Sequence, residues 1–160
     1  MSTPAERLDE LKAAWLAGSD EEEFYFEAFS HPKLLRRSKS VTGALTQLEF
    51  GKYQNFRQEW IDDDRVVWLG MIVSDQAGAG TELLKKLTKQ LARCGVSLIG
   101  TPTPLKPRDW APDRPFEYRA DKLIDWYRKL GFQVLPNGSE MRVVHLGMAS
   151  RLEVEFSFRQ

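Results

Sequence analysis

Residues 66–84 read VVWLGMIVSDQAGAGTELL, and this stretch decides the fold. Residues 66–73 form a continuous apolar run, which is typical of a strand that is buried on both faces. Leucines then recur at three- and four-residue steps from Leu83 to Leu91 and predict a helix over residues 81–94. Gly78 and Gly80 lie in the short connection. The stretch therefore predicts a strand, a glycine turn and a helix in direct succession.

The glycine turn predicts an anion site. A strand that runs into a turn opening a helix brings several free backbone N–H groups to one point. Gly78 and Gly80 let the backbone approach a ligand closely, so the amides of residues 76–81 are candidates to hold a pyrophosphate. Many strand-to-helix turns contain two glycines, and the turn alone is equally compatible with a structural role.

Composition excludes several classes of function. The 160 residues include 23 basic and 23 acidic side chains, so no global charge attracts nucleic acid or an anionic membrane. An apolar content of 42% is enough for the core of one domain. A single cysteine, Cys94, excludes an intramolecular disulfide, and two distant histidines form no metal cluster. Neither a signal peptide nor a membrane span is recognisable, so we expect a cytoplasmic protein without metal.

The N-terminal third predicts two helices. A capping box begins at Thr3, and apolar residues at helical spacing follow it as far as residue 17. A second capping box, Ser19 with Glu22, predicts another helix that ends before Pro32. Residues 31–40 are then either a solvated connector or a local patch that binds anions.

The remaining elements alternate between strands and helices. Residues 41–60 fit both periodicities, and we favour strands. Residues 61–65 (IDDDR) predict a hairpin turn into the apolar run. Further on, the pattern predicts a strand over 96–99, a helix over 121–130, and hairpin strands over 133–135 and 142–146.

A second motif is Trp126-Tyr127-Arg128-Lys129-Leu130-Gly131-Phe132. Taken alone, it is compatible with a helix that carries a core tyrosine and ends at Gly131. Placed in this order behind the strands and the glycine turn, it makes the central and C-terminal half of the chain resemble the GNAT superfamily of acetyl-CoA-dependent N-acetyltransferases. The chain is similar to some phage-type and bacterial members.

The resemblance implies an α/β (α+β) fold with a central mixed, mostly antiparallel sheet that is flanked by helices and splayed at the fourth strand. It implies one domain over residues 1–160, with N-terminal helices and a connector in 1–40 and the core in 41–147. The first strand of the family is expected to be missing, because the chain opens with a helix. Alternating apolar residues in 152–158 predict an extra strand within 148–160, which would complete the sheet in this chain or in a homodimer.

The activity implied by the resemblance is transfer of an acetyl group from acetyl-CoA, as cosubstrate, to a primary amine of a small molecule or protein. The amine would attack directly in a ternary complex. Tyr127 falls on the position that family members use as a general acid toward the coenzyme thiolate. The implied coenzyme contacts are Met71, Ile72, Val73, Gln76, Ala77, Gly78, Ala79, Gly80 and Thr81.

A proline-rich loop over residues 101–118 follows the strand at 96–99. Its five prolines and its aromatic residues predict an ordered flap rather than a disordered linker. In the implied fold this flap lies beside the acceptor site. Trp110 and Tyr118 are therefore the candidate acceptor contacts.

Several positions depart from the family pattern. Asp75 occupies the place of a glutamine or arginine, and Ala120 that of an asparagine. The strand at 66–73 contains no acid to act as a base, so the amine proton would leave through water or through an acid outside the strand, for which Glu49 and Glu59 are the candidates. These departures keep open an alternative function, that of a catalytically weakened GNAT-like module that binds or inhibits another protein.

Overall fold

A computed structural model describes residues 2–113, 115–116, 119–138 and 140–148 of the chain. These residues form three helices and seven strands. In chain order the elements are α1 (Pro4–Ala17), β1 (Ser19–Phe24), β2 (Lys33–Ser38), β3 (Ala44–Gln54), β4 (Trp60–Ser74), α2 (Ala79–Arg93), β5 (Ser97–Gly100), α3 (Ala120–Lys129), β6 (Gln133–Asn137) and β7 (Glu140–His145).

The strands form one mixed sheet in the order β1-β2-β3-β4-β5-β7-β6. Neighbouring strands are antiparallel except for β4 and β5, which run parallel and are joined through α2. The predicted α+β class with a mostly antiparallel mixed sheet is therefore confirmed. Within the described ranges, every helix falls short of the length and apolarity that a membrane span requires.

The stretch at 66–84 folds as predicted. Val66, Val67 and Leu69 on β4 are each 3% exposed or less. The leucines of α2 at positions 83, 84, 87 and 91 are buried in the main core cluster, together with residues of β4, β5 and β7. This packing holds the N-terminus of α2 directly beside the end of β4.

The first predicted helix is confirmed, and its cap is the predicted one. The Thr3 side chain accepts a hydrogen bond from the Glu6 backbone N–H at 3.1 Å, and Pro4 is the first helical residue. The strands predicted over 66–73 and 96–99, the helices over 81–94 and 121–130, and the hairpin strands over 133–135 and 142–146 also form, with the boundary changes given above, and residues 41–60 contain the favoured strand.

The second predicted helix is wrong, because residues 19–24 form β1 and residues 33–38 form β2, where a connector was predicted. The acids after Ser19 are side chains of an edge strand rather than of a helix N-terminus. Glu22 forms a bidentate ion pair with Arg37 on β2, with N–O distances of 2.9 and 2.6 Å. Such cross-strand pairs add to the ladder of six residue pairs that joins β1 to β2.

The chain opens with a helix as expected, and β1, a strand that was not predicted, lies at the edge of the seven-stranded sheet. The extra strand predicted over 152–158 lies outside the described residues. The predicted turn at 61–65 is also wrong, because these residues belong to β4. The hairpin instead reverses over residues 55–59, where Gln58 has a φ of 65° and the Asn55 N–H donates to the Glu59 carbonyl.

Candidate functional site

A cleft opens where β4 and β5 separate. Their parallel pairing ends at Leu69 and Gly100, whereas β4 continues to Ser74. In open sheets, ligands bind outside the carboxyl ends of parallel strands at such a point. The cleft has a volume of about 890 Å³, its open mouth included. Its walls come from the end of β4, the glycine turn, the loop after β5, and α3.

The edge of β4 that borders the cleft has backbone groups without a strand partner. The Asp75 N–H donates to the Gly43 carbonyl at 2.9 Å, and the Met71 carbonyl accepts from the Thr46 hydroxyl at 2.6 Å, so both residues turn their backbone groups toward β3. Successive strand residues point to opposite edges. The peptide N–H of Ile72 therefore faces the cleft.

A bulge precedes this edge. Gln47 pairs with Met71 and Leu48 with Leu69, which leaves Gly70 as the extra residue of β4. A Cβ atom at position 70 would lie 2.6 Å from the Gln47 side-chain oxygen, so the site accepts only glycine without rearrangement. Bulges bend a strand and increase its twist. Here the bulge lies at the residue where β4 leaves β5.

The glycine turn presents backbone N–H groups at the start of α2. Gly78 caps the helix with a φ of +79°, and a Cβ built on it would meet nothing within 4 Å. The Gly80 N–H donates a hydrogen bond to the Ser74 hydroxyl oxygen at 3.1 Å. Among the described residues, four N–H groups of the turn and first helical turn have no acceptor, those of Gln76, Ala77, Gly78 and Thr81. Together with the helix dipole they form a cradle for an anion.

The structure gathers most of the predicted coenzyme contacts on one wall. Six of the nine line the cleft, namely Met71, Ile72, Val73, Gly78, Gly80 and Thr81. Gln76 and Ala77 are exposed on the turn beside it. Ala79 differs, because its side chain is buried in the core and only its backbone belongs to the turn.

The acid at the turn has a basic partner. Asp75 lies 2.9 Å from the Arg37 guanidinium, which also holds Glu22 and donates to the Thr42 carbonyl at 2.7 Å. Hydrogen bonding to Glu22 and then to Asp75 raises the pKa of Arg37, and the bond from Arg37 lowers the pKa of Glu22. Arg37 is shared between Glu22 and Asp75, so it offsets part of the negative charge that Asp75 places beside the cradle.

The motif that ends α3 is a Schellman cap. The Phe132 N–H donates to the Tyr127 carbonyl at 3.1 Å, the Gly131 N–H donates to the Arg128 carbonyl at 3.0 Å, and Gly131 has a φ of +91°. The rings of Tyr127 and Phe132 are 5.1 Å apart and supply the usual apolar contact. The spacing from tyrosine to Gly-Phe thus has a structural cause of its own.

Tyr127 nevertheless lies on the cleft wall. Its side chain is 3% exposed, and burial raises the pKa of its hydroxyl above the usual 10. The neighbouring Trp126 donates from its indole nitrogen to the Thr81 hydroxyl at 2.8 Å. This bond ties α3 to the first turn of α2, so that the tyrosine and the anion cradle share one cleft.

The loop after β5 closes the cleft opposite the glycine turn. Trp110 lines the cleft as predicted, whereas Tyr118 lies outside the described residues. Further residues that were not predicted also line the cleft, namely Leu69, Gly70, Ser74, Thr101, Thr103, Leu105, Pro107, Leu123 and Trp126. A signal existed for Ser74, which ends the apolar run, and for Trp126, which precedes Tyr127. The lining residues of the loop, Thr101, Thr103, Leu105 and Pro107, had no such signal in the sequence.

The two candidate bases lie away from the cleft. Glu49 on β3 is 3.9 Å from the Lys52 ammonium, and Glu59 accepts a bond from the Asn55 side chain at 3.4 Å in the hairpin. Neither belongs to the cleft wall. Among the described residues, the wall consists of apolar, aromatic, hydroxyl and glycine residues.

Comparisons of the chain with protein-family models, with curated proteins and with solved structures gave no match. The site is therefore interpreted from its own residues.

Proposed function

We propose that this chain is a GNAT-like N-acetyltransferase that transfers the acetyl group of acetyl-CoA to a primary amine of a small molecule or protein by direct attack in a ternary complex. One observation carries the proposal: a single cleft is bordered by an anion cradle, an unpaired strand edge and a buried tyrosine. These are the three groups that acyl transfer from a phosphate-bearing thioester needs. The bulge at Gly70 and the divergence of β4 from β5 support the splayed strand implied by the resemblance.

In this proposal each group that borders the cleft has one role. The amides of the turn at Gly78 and Thr81 bind the pyrophosphate, where the helix dipole favours negative charge. The Ile72 N–H donates to the carbonyl oxygen of the thioester as negative charge develops on it. The bond between nitrogen and acetyl carbon forms while the bond between carbon and sulfur breaks. Tyr127 gives its hydroxyl proton to the departing sulfur.

Burial of Tyr127 affects this proton transfer in two ways. The raised pKa keeps the hydroxyl protonated throughout the physiological pH range, so Tyr127 always carries the proton that it donates. It also makes the hydroxyl a weaker acid than a solvated tyrosine, for which transfer to a thiolate is uphill by only about 2 kcal/mol. Desolvation raises the pKa of a thiol in the same apolar cleft as well, which offsets part of the difference.

The alternative function is a catalytically weakened module that binds or inhibits another protein. The observation that favours it is the composition of the cleft wall, in which the described residues include no carboxylate to serve as a base. The ion pair with Arg37 weakens the argument from one departure, Asp75, without removing it.

Calorimetric titration with acetyl-CoA tests the proposal. Binding at micromolar concentration, followed by release of free thiol when an amine is added, is the expected result. The Gly78→Val variant serves as the control, because it places a branched side chain in the open space of the cradle and forces a strained φ. An absence of acetyl-CoA binding by the folded wild-type protein would refute the enzyme and leave the binding module.

A further inference from the structure

The loop from residue 101 to 110 forms the side of the cleft that faces the glycine turn. Its contribution to the wall consists of two threonines, one leucine, one proline and one tryptophan, namely Thr101, Thr103, Leu105, Pro107 and Trp110. Trp126 and Tyr127 of α3 add two more aromatic rings to the cleft wall, and Trp126 lies on the glycine-turn side, where it is bonded to Thr81. An acceptor bound here would contact uncharged, partly aromatic surface.

The two basic residues of this loop contact a strap formed by residues 24–29, and the loop's one acid, Asp109, is exposed and lies 3.5 Å from the Arg108 guanidinium. The Lys106 ammonium lies 3.3 Å from the Glu27 carboxylate, and the Arg108 guanidinium stacks 3.9 Å from the centre of the Tyr25 ring. Two backbone hydrogen bonds of 2.9 Å fasten the loop to the same strap, from the Glu27 N–H to the Lys106 carbonyl and from the Arg108 N–H to the Tyr25 carbonyl. Both cations are therefore engaged outside the cleft.

This wall discriminates between amines by their basicity. An alkylamine with a pKa near ~10.4 is more than 99% protonated at pH 7, with about one molecule in 2,500 neutral. Its ammonium form would be desolvated against uncharged residues without a carboxylate partner from the described part of the wall, which is unfavourable. The neutral form is rare, and neither Glu49 nor Glu59 belongs to the cleft wall, each having a partner elsewhere.

Accordingly, we infer that the acceptor is a weakly basic amine on an aromatic ring, which is neutral at pH 7 and requires no base from the protein. This inference rests on the proposed acetyl transfer. The nitrogen lone pair attacks the acetyl carbon, the carbon–nitrogen bond forms and the carbon–sulfur bond breaks. Tyr127 protonates the sulfur and recovers a proton from solvent, and the surplus proton of the nitrogen leaves to water. Trp110 stacks on or beside the acceptor ring.

Two matched acceptors test the inference, 4-methoxyaniline and 2-(4-methoxyphenyl)ethylamine, which share a ring and differ in the basicity of nitrogen. With wild-type protein and saturating acetyl-CoA, kcat/KM for the aniline should exceed that for the alkylamine at pH 7 by at least about 100-fold. Between pH 6.5 and 8.5 the aniline should show a flat kcat/KM. The alkylamine should show an increase of about tenfold per pH unit, following its neutral fraction.

Variants at two tryptophans separate recognition of the acceptor from a general loss of stability. Trp110→Ala should lower kcat/KM for the aniline about tenfold without changing the Kd for acetyl-CoA, and Trp110→Phe should retain most of the activity. Trp60→Ala is the matched control, since Trp60 is 49% exposed and lies off the cleft wall. Equal losses in Trp110→Ala and Trp60→Ala would contradict the assigned role of Trp110.

The failures of the two proposals are distinguishable. If acetyl-CoA binds and the alkylamine is the better acceptor at pH 7, the inference is overturned and the acetyltransferase stands. If calorimetry on the same folded protein detects no acetyl-CoA binding, both are overturned.

Discussion

Replacing Gly80 with alanine separates the stability of α2 from its role at the cleft. Gly80 is the second residue of the helix, and an added Cβ would lie 3.4 Å from the Ser74 Cβ and 3.9 Å from the Trp126 ring. Both are ordinary van der Waals distances, so the fold accommodates the methyl group. Alanine favours helix over glycine by roughly 0.5–1 kcal/mol. For a chain of this size, we expect the melting temperature to rise by about 1–4 °C.

The same methyl group should weaken acetyl-CoA binding. It occupies the cleft wall between Ser74 and Trp126, beside the N–H groups that form the anion cradle. Displacing a phosphate from one charge-assisted hydrogen bond costs about 1.5–3 kcal/mol. The Kd should therefore rise by roughly 10-fold to 100-fold. Acetyl-CoA binding would then explain why the helix has glycine at position 80 instead of alanine, which would make the helix more stable.

Calorimetry with acetyl-CoA and thermal unfolding of the same samples measure both effects. Lys89→Ala is the control, because Lys89 is exposed on the same helix away from the cleft and should leave the Kd unchanged. A Gly80→Ala protein that is more stable and binds acetyl-CoA with wild-type affinity would show that the glycine turn is structural only.

Three further changes test other parts of the site. Tyr127→Phe should lower kcat about 100-fold with nearly unchanged stability and Kd, and wild-type turnover would exclude the general acid. Arg37→Gln should raise the Kd for acetyl-CoA by roughly 2-fold to 10-fold at low salt by leaving Asp75 unpaired, and adding Asp75→Asn should restore it. Arg37 lowers the pKa of Glu22 below its ordinary 4.5, so the carboxylate stabilises the fold fully above that value, and its contribution is lost as pH falls through the lower folded pKa. Urea titrations between pH 7 and 3 should accordingly show a larger decrease in the free energy of unfolding for wild type than for Glu22→Gln. Equal decreases in the two proteins would contradict this.

The sequence determined the elements whose stability is local. The apolar run at 66–73, the leucine periodicity of α2 and the end of α3 at Gly131 each depend on residues within one or two turns of each other. Burial and backbone conformation at these positions follow directly from side-chain type. The glycine turn and Tyr127 were recognisable for the same reason, and the structure then brought both to one cleft.

Tertiary structure alone decided the N-terminal third and the chemistry around the turn. Ser19 and Glu22 fit a helix cap as well as an edge strand, and the strand forms by pairing with β2, where Glu22 meets Arg37, 15 residues farther along the chain. The partner of Asp75 is the same arginine. The loop contributes no cation to the cleft wall, because Lys106 and Arg108 contact the strap at 24–29 instead. Such contacts join residues that are distant in sequence, so no local pattern contains them, and they form only when the sheet is assembled.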